Sequence, residues 1–230
     1  MHDIRAIRET PETYAKLRNA RFQQLLDNLR RLIEAKGGPG HLPLVYAVWT
    51  DLSGETGCTA AASEPGSSTT SACKTRIWFA KSTNGGTSWG TPVKINNQAG
   101  KNDQFNPWLV VDETNGAIGV MYYDTVNDTT RKKTDVFYQS SFDDGATWGA
   151  AVKVTTAQTD ETGSGADSGN QYGDYNGLSG YAGVFFPSWT DRRNLAKEEI
   201  WTAKVTDSGG GTTYSISGTI TLSGSGLTGV

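Results

Sequence analysis

The densest run of groups able to do chemistry in this chain is Tyr172-Gly173-Asp174-Tyr175, followed after an apolar stretch by Asp191-Arg192-Arg193. A carboxyl group beside a phenol can move protons at a bound ligand, and guanidinium groups grip carboxylates through paired hydrogen bonds. Asp174-Tyr175 occupies the place of Pro107-Trp108 in an earlier, related stretch, Phe105-Asn106-Pro107-Trp108, so no repeated structural need dictates the pair. Asp103 lies just ahead of that earlier stretch. Asp51, Asp124 and Asp191 recur at the ends of Trp49-Thr50-Asp51, Tyr122-Tyr123-Asp124 and Trp189-Thr190-Asp191. Two readings of these three stay open: capping of the following turn, which suits repetition, or a place in a ligand site. Trp108, Trp189 and Trp201 can stack on sugar rings or pack between layers.

The elements that must carry these groups are repeated. Ser82-Thr83-Asn84-Gly85-Gly86-Thr87-Ser88-Trp89 returns 59 residues later as Ser141-Phe142-Asp143-Asp144-Gly145-Ala146-Thr147-Trp148, a pattern S-x-[DN]-x-G-x-x-W. The Asn or Asp can bond backbone amides, the Gly supplies a positive φ, and the Trp covers the turn. The flanks agree in the same register. Ile77-Trp78-Phe79-Ala80 and Val136-Phe137-Tyr138-Gln139 precede the two turns, and Pro92-Val93-Lys94-Ile95 and Ala151-Val152-Lys153-Val154 follow them. Each turn therefore joins two strands. A degenerate third copy follows Ile200-Trp201-Thr202-Ala203, keeping Asp207 and Gly209 but placing Thr212 where the Trp belongs.

The octet resembles the Asp-box, or BNR repeat, of sialidase-like β-propellers. On that resemblance the chain is mainly β, a partial Asp-box propeller of about three four-stranded antiparallel blades over residues 43–214. Ser82, Asn84, Gly86, Trp89, Ser141, Asp143, Gly145 and Trp148 are then structural residues of the boxes. Alternating strand polarity places the boxes on one face and Asp51, Asp103, Asp124, Asp191 and Tyr172–Tyr175 on the other. A sialidase resemblance implies a Tyr nucleophile assisted by Glu, an Asp acid/base and three Arg that grip a sugar carboxylate. Tyr172, Tyr175, Asp103 and Asp174 are the catalytic candidates, and Arg192, Arg193, Asp191, Asp124 and Trp108 the ligand-binding candidates. No Glu stands beside the tyrosines, and adjacent Arg192 and Arg193 project to opposite sides of a strand, so the three-Arg grip does not map residue by residue. The expected function is that of a carbohydrate-active extracellular protein, hydrolysing a glycoside if complete. The alternatives are a non-catalytic propeller that binds glycans or proteins, or an inactive fragment. Six blades are the family's number, so about three leave open edges through which copies can self-associate.

The two ends differ from the middle. Residues 1–40 form a leader in which Tyr14, Leu17, Leu25, Leu29 and Leu32 fall on one helical face, with Thr10 as N-cap, Pro11 at the first position and Gly37-Gly38-Pro39 as stop. An amphipathic helix preceding the propeller is expected there. Met1-His2-Asp3-Ile4-Arg5-Ala6-Ile7-Arg8-Glu9 also resembles the start of the N-terminal arm of bacterial seryl-tRNA synthetases, without that family's catalytic core. Residues 215–230 alternate as a strand should and resemble the opening of small carboxypeptidase-regulatory-like sandwich domains, which predicts a truncated module or linker. The resemblance places the protein outside the cell or on its surface, although the charged N-terminus is no signal peptide.

The net charge is −3, and residues 1–40 hold eight Lys/Arg against five Asp/Glu, so the remainder stands at −6. That balance argues against nucleic acid as a partner and leaves a glycan or glycoprotein as the expected one. No apolar run reaches the roughly 20 residues of a membrane span. Cys58 and Cys73 are the only cysteines and bracket the 14-residue excess of the first repeat, which predicts a disulfide and an oxidising compartment. With only His2 and His41 besides, no zinc site is expected. No cofactor is expected either.

Overall fold

The computed structural model describes residues 44–52, 57–58, 69–163, 172, 176–194, 198–207 and 209, together with the backbone of 215–221. The expected N-terminal helix and the synthetase-like leader lie outside the described residues. The chain divides into two compact units, residues 1–46 with 81–91, and residues 47–80 with 92–230. In the first, the described part is the start of one strand, the last two residues of a second, and the first S-x-[DN]-x-G-x-x-W turn. The second holds everything else.

The described residues contain eleven strands and no helix: β1 (Val45–Asp51), β2 (Arg76–Ser82), β3 (Val93–Lys94), β4 (Gln104–Val111), β5 (Ile118–Asp124), β6 (Asp135–Ser141), β7 (Val152–Lys153), β8 (Gly177–Tyr181), β9 (Val184–Asp191), β10 (Glu199–Thr206) and β11 (Ser215–Thr221). They form three antiparallel sheets of order β1-β2-β3, β4-β5-β6-β7 and β8-β9-β10-β11. Asp51, Asp124 and Asp191 are the last residues of β1, β5 and β9, as the repeat requires. Ser215–Thr221, placed by its sequence in a following module, pairs along β10 as the fourth strand of the third sheet, with Thr206 opposite Ser215.

Both complete turns close by the same hydrogen bonds. In the first, the Ser82 hydroxyl donates to Asn84 Oδ1 (2.9 Å) and accepts from the Gly86 amide (2.9 Å), while Asn84 Oδ1 accepts from the Ser88 amide (2.9 Å). In the second, Ser141, Asp143, Gly145 and Thr147 repeat this at 2.8 Å each. Gly145 has φ +81°, and an added Cβ would strike the Phe79 ring, so two separate demands select glycine there. Trp148 meets Phe79 edge-on at 5.2 Å. The third copy differs. Asp207 turns toward the second sheet, where its carboxylate accepts from the hydroxyls of Ser140 and Tyr138.

β5 is buried along its whole length because sheet faces cover it on both sides, which is why Ile118–Tyr123 reads as an unbroken apolar run around one glycine. The core lies between the second and third sheets: Met121, Tyr123, Val136 and Tyr138 meet Leu178, Phe185, Trp189, Ala203 and Val205. Phe185 can lie there because Gly119 and Gly180 present no Cβ to its ring. The carboxylate of buried Asp112, in the β4–β5 turn, accepts from the amides of Ala182 and Gly183 in the two-residue β8–β9 turn, tying the two sheets at that end. Fully buried Trp189 belongs to this core and does not face solvent.

Candidate functional site

At the ends of the second strands, loops converge and the side chains are mostly polar. Asp103, just before β4, is 5% exposed, and its carboxylate is taken by Arg131 through Nε (2.9 Å) and Nη2 (2.8 Å) and by the Thr75 amide (3.0 Å). Arg131 also donates to the carbonyls of Ser71 (3.2 Å) and Cys73 (2.7 Å). Cys73 is disulfide-bonded to Cys58. Asp103 and Arg131 therefore fasten the base of the disulfide-closed insertion to the second sheet.

Asp124 is fully buried and accepts from Asn102 Nδ2 (2.7 Å), Gln104 Nε2 (3.0 Å) and the Val126 amide (2.8 Å). Burial raises its pKa, and the bonds from Gln104, Asn102 and Val126 and the charge of Arg76 work against that rise. Asp191 accepts from Trp189 Nε1 (3.0 Å) and from Arg193 through its amide (2.8 Å), Nε (2.9 Å) and Nη2 (2.6 Å). Both aspartates thus bond the amide two residues on, the turn-capping arrangement.

The two adjacent arginines part ways. Arg193 lies over the half-buried Trp201 ring at 3.6 Å and donates to Thr156 Oγ1 (2.7 Å), so its planar group is held by a carboxylate, a ring and a hydroxyl. Arg192 is 1% exposed and donates from Nη1 to the carbonyls of Asp160 and Gly163, both at 3.2 Å, while its amide donates to Thr159 Oγ1 (2.6 Å). Both serve the 156–163 loop.

Tyr172 packs between Phe105 (5.0 Å) and Tyr123 (4.8 Å) and donates its hydroxyl to the Lys132 carbonyl (3.2 Å). Burial pushes its pKa up to about 12 against a hydrogen bond with Thr134, so the phenol is neutral at physiological pH. Asp174 and Tyr175 lie outside the described residues. Among the described residues, no cluster of three or more His, Cys, Asp or Glu could hold a metal ion.

Trp108 has a different setting. It stands on β4 with 42% of its surface exposed, at one end of a groove of about 540 Å³ that continues over the third sheet past Gly177, Ser179, Ser188 and Thr202 to Phe186 and Ile200. A flat aromatic beside small hydroxyl-bearing residues, with no charged group in the lining, can stack on a neutral ring and hydrogen-bond its substituents.

Arg131 is the residue that sequence reasoning missed. One of four arginines after residue 43, it sits 28 positions from Asp103, and no local spacing links the two. Its positive φ of 60° in the loop before β6 aims it inward.

No protein-family model and no curated protein matches the sequence. Solved structures with a similar backbone include a Hadza microbial sialidase, at 17% identity over 63% of this chain and 31% of that one, with a TM-score of 0.41. They also include a glycoside hydrolase, at 14% identity over 57% of this chain and 36% of that one, with a TM-score of 0.33. The chain spans about a third of the length of each.

Proposed function

We propose that this chain is part of a sialidase-like Asp-box propeller from an extracellular carbohydrate-active protein, and that this part binds glycan without hydrolysing it. The observation that carries the binding reading is the uncharged groove headed by exposed Trp108. Against hydrolysis by this part stand Asp103, Asp124, Asp191, Arg192 and Arg193, all of which are occupied by scaffold hydrogen bonds. Asp174 and Tyr175 remain the proposed reacting pair of the complete enzyme, and the disulfide suits an oxidising compartment. Open sheet edges make self-association part of this reading.

Binding is tested by affinity electrophoresis on immobilised glycans. Wild type should be retarded, and Trp108→Ala should migrate freely with an unchanged melting temperature. Equal retardation of both proteins refutes the groove as the site. Hydrolysis is tested with aryl sialosides. The chain should turn them over no faster than its Asp174→Ala/Tyr175→Phe double mutant, and turnover that only the wild type shows would establish those two residues as a working site.

A further inference from the structure

The second and third sheets leave a pocket between them at the end where the S-x-[DN]-x-G-x-x-W turns lie. It measures about 350 Å³ and shares no residue with the groove beside Trp108. Phe142, Asp143, Thr147 and Trp148 of the second turn supply one wall, and Asp207 and Gly209, just after β10, supply the other. Both charged residues of the lining are acidic. Neither Asp143 nor Asp207 forms an ion pair with a described residue.

Asp207 is 4% exposed. One of its oxygens accepts from the Ser140 hydroxyl and, at 3.4 Å, from the Tyr138 hydroxyl; the other receives only the Gly209 amide, also at 3.4 Å. A carboxylate withdrawn from water with no cation beside it is costly, and neutral donors at such lengths offset only part of that cost. Asp143, on the open side, is ionised: the Thr147 hydroxyl and amide and the Ser141 hydroxyl hold its pKa at about 2.

The repeat does not demand this chemistry. The first turn closes through Asn84 with the same bond to the amide four residues on that Asp143 makes, and it has Thr83 where the second has Phe142. Of the two complete turns, the second alone adds a phenyl ring and a negative charge. Phe142 is 43% exposed, and its ring lies against Gly209, where an added Cβ would strike it. The third copy of the turn also lacks the tryptophan that the first two use as a cover.

We propose that this pocket binds a small organic cation, a primary ammonium carried on an aliphatic body such as an amino sugar or an alkylamine. The ammonium supplies the positive charge that the lining lacks and donates hydrogen bonds to Asp143 and Asp207. Its carbon framework lies against Phe142, whose ring face attracts the adjacent charge. The groove at Trp108 contains no charge and takes neutral rings, whereas this pocket requires a positive ligand.

The test is a ligand-observed NMR titration of the full chain at constant ionic strength, with glucosamine and butylammonium as cations and glucose and N-acetylglucosamine as neutral controls. At least one cation should bind saturably, and the neutral sugars at least about tenfold more weakly. Saturable binding of glucosamine alone assigns the pocket to amino sugars, of butylammonium alone to alkylamines, and of both to the ammonium group whatever carries it. Phe142→Thr/Asp143→Asn gives the second turn the residues of the first, so it should keep a folded circular dichroism spectrum and lose cation affinity by at least about tenfold. If that variant fails to fold, Asp207→Asn, which retains an acceptor for Ser140 and Tyr138, serves in its place. Wild type that binds neither cation, neutral sugars that bind as well as glucosamine, or a folded variant that binds as wild type does would overturn the inference.

Discussion

Replacing Asp103 by alanine should destabilise the protein severely. Its carboxylate and the Arg131 guanidinium are almost fully enclosed, with side-chain exposures of 7% and 2%, and Arg131 also donates to the carbonyls of Ser71 and Cys73. Removing one partner of such a pair leaves a buried charge uncompensated, at a cost of about 3 to 5 kcal/mol. The Thr75 amide loses its acceptor as well. For a domain of this size each kcal/mol lowers the melting temperature by roughly 2 to 4 °C, so a fall on the order of 6 to 20 °C is expected. Thermal unfolding followed by near-ultraviolet circular dichroism, with the disulfide intact, measures it. The double substitution Asp103→Leu/Arg131→Met removes both charges and should melt above the single variant, because the desolvation cost disappears along with the attraction. An Asp103→Ala protein that melts with the wild type and loses only ligand binding would refute this reasoning and return Asp103 to a reactive role.

Gly145→Ala should lower stability by on the order of 2 to 4 kcal/mol, the sum of a left-handed backbone strain and the collision with Phe79, measurable as a shifted denaturant midpoint. Thiol titration of denatured, unreduced protein should find no reactive cysteine, and reduction should remove on the order of 3 kcal/mol of stability in the chain-entropy model. Asp128 and Asp143 both titrate at about 2 in the folded protein. For Asp128, burial pushes upward but the amides of Lys133, Thr130 and Lys132 and the Thr130 hydroxyl prevail; for Asp143, the Thr147 hydroxyl and amide and the Ser141 hydroxyl hold the charge. Their folded values lie below the unfolded value of about 3.9, so their contribution is present above it and is lost as pH falls toward 2. Melting temperatures should drop across that window, and the drop should shrink in Asp128→Asn/Asp143→Asn; an equal drop in both proteins would count against these turns as acid-sensitive locks.

The strand pattern was legible because it rests on local chemistry. The S-x-[DN]-x-G-x-x-W turn closes on its own Ser, Asn or Asp, and Gly, within four residues, so its sequence signature and its hydrogen bonds coincide. The disulfide was legible because the two cysteines bracket one insertion. Ser215–Thr221 alternates like any strand, and only the position of β10 decides what it pairs with.

The chain's sequence by itself determined the repeat, the turns, the ends of the second strands and the list of polar side chains that gather there. Only the tertiary structure decided what those side chains do. Asp103 meets an arginine 28 residues away, Arg192 meets the carbonyls of Asp160 and Gly163, and Trp189, which could stack on a sugar or pack between layers, is enclosed against the second sheet. The physical reason is range. Turn closure and strand alternation are satisfied within a few residues, whereas whether a carboxylate is free or paired, or a ring wet or buried, depends on which distant segment the sheets bring against it.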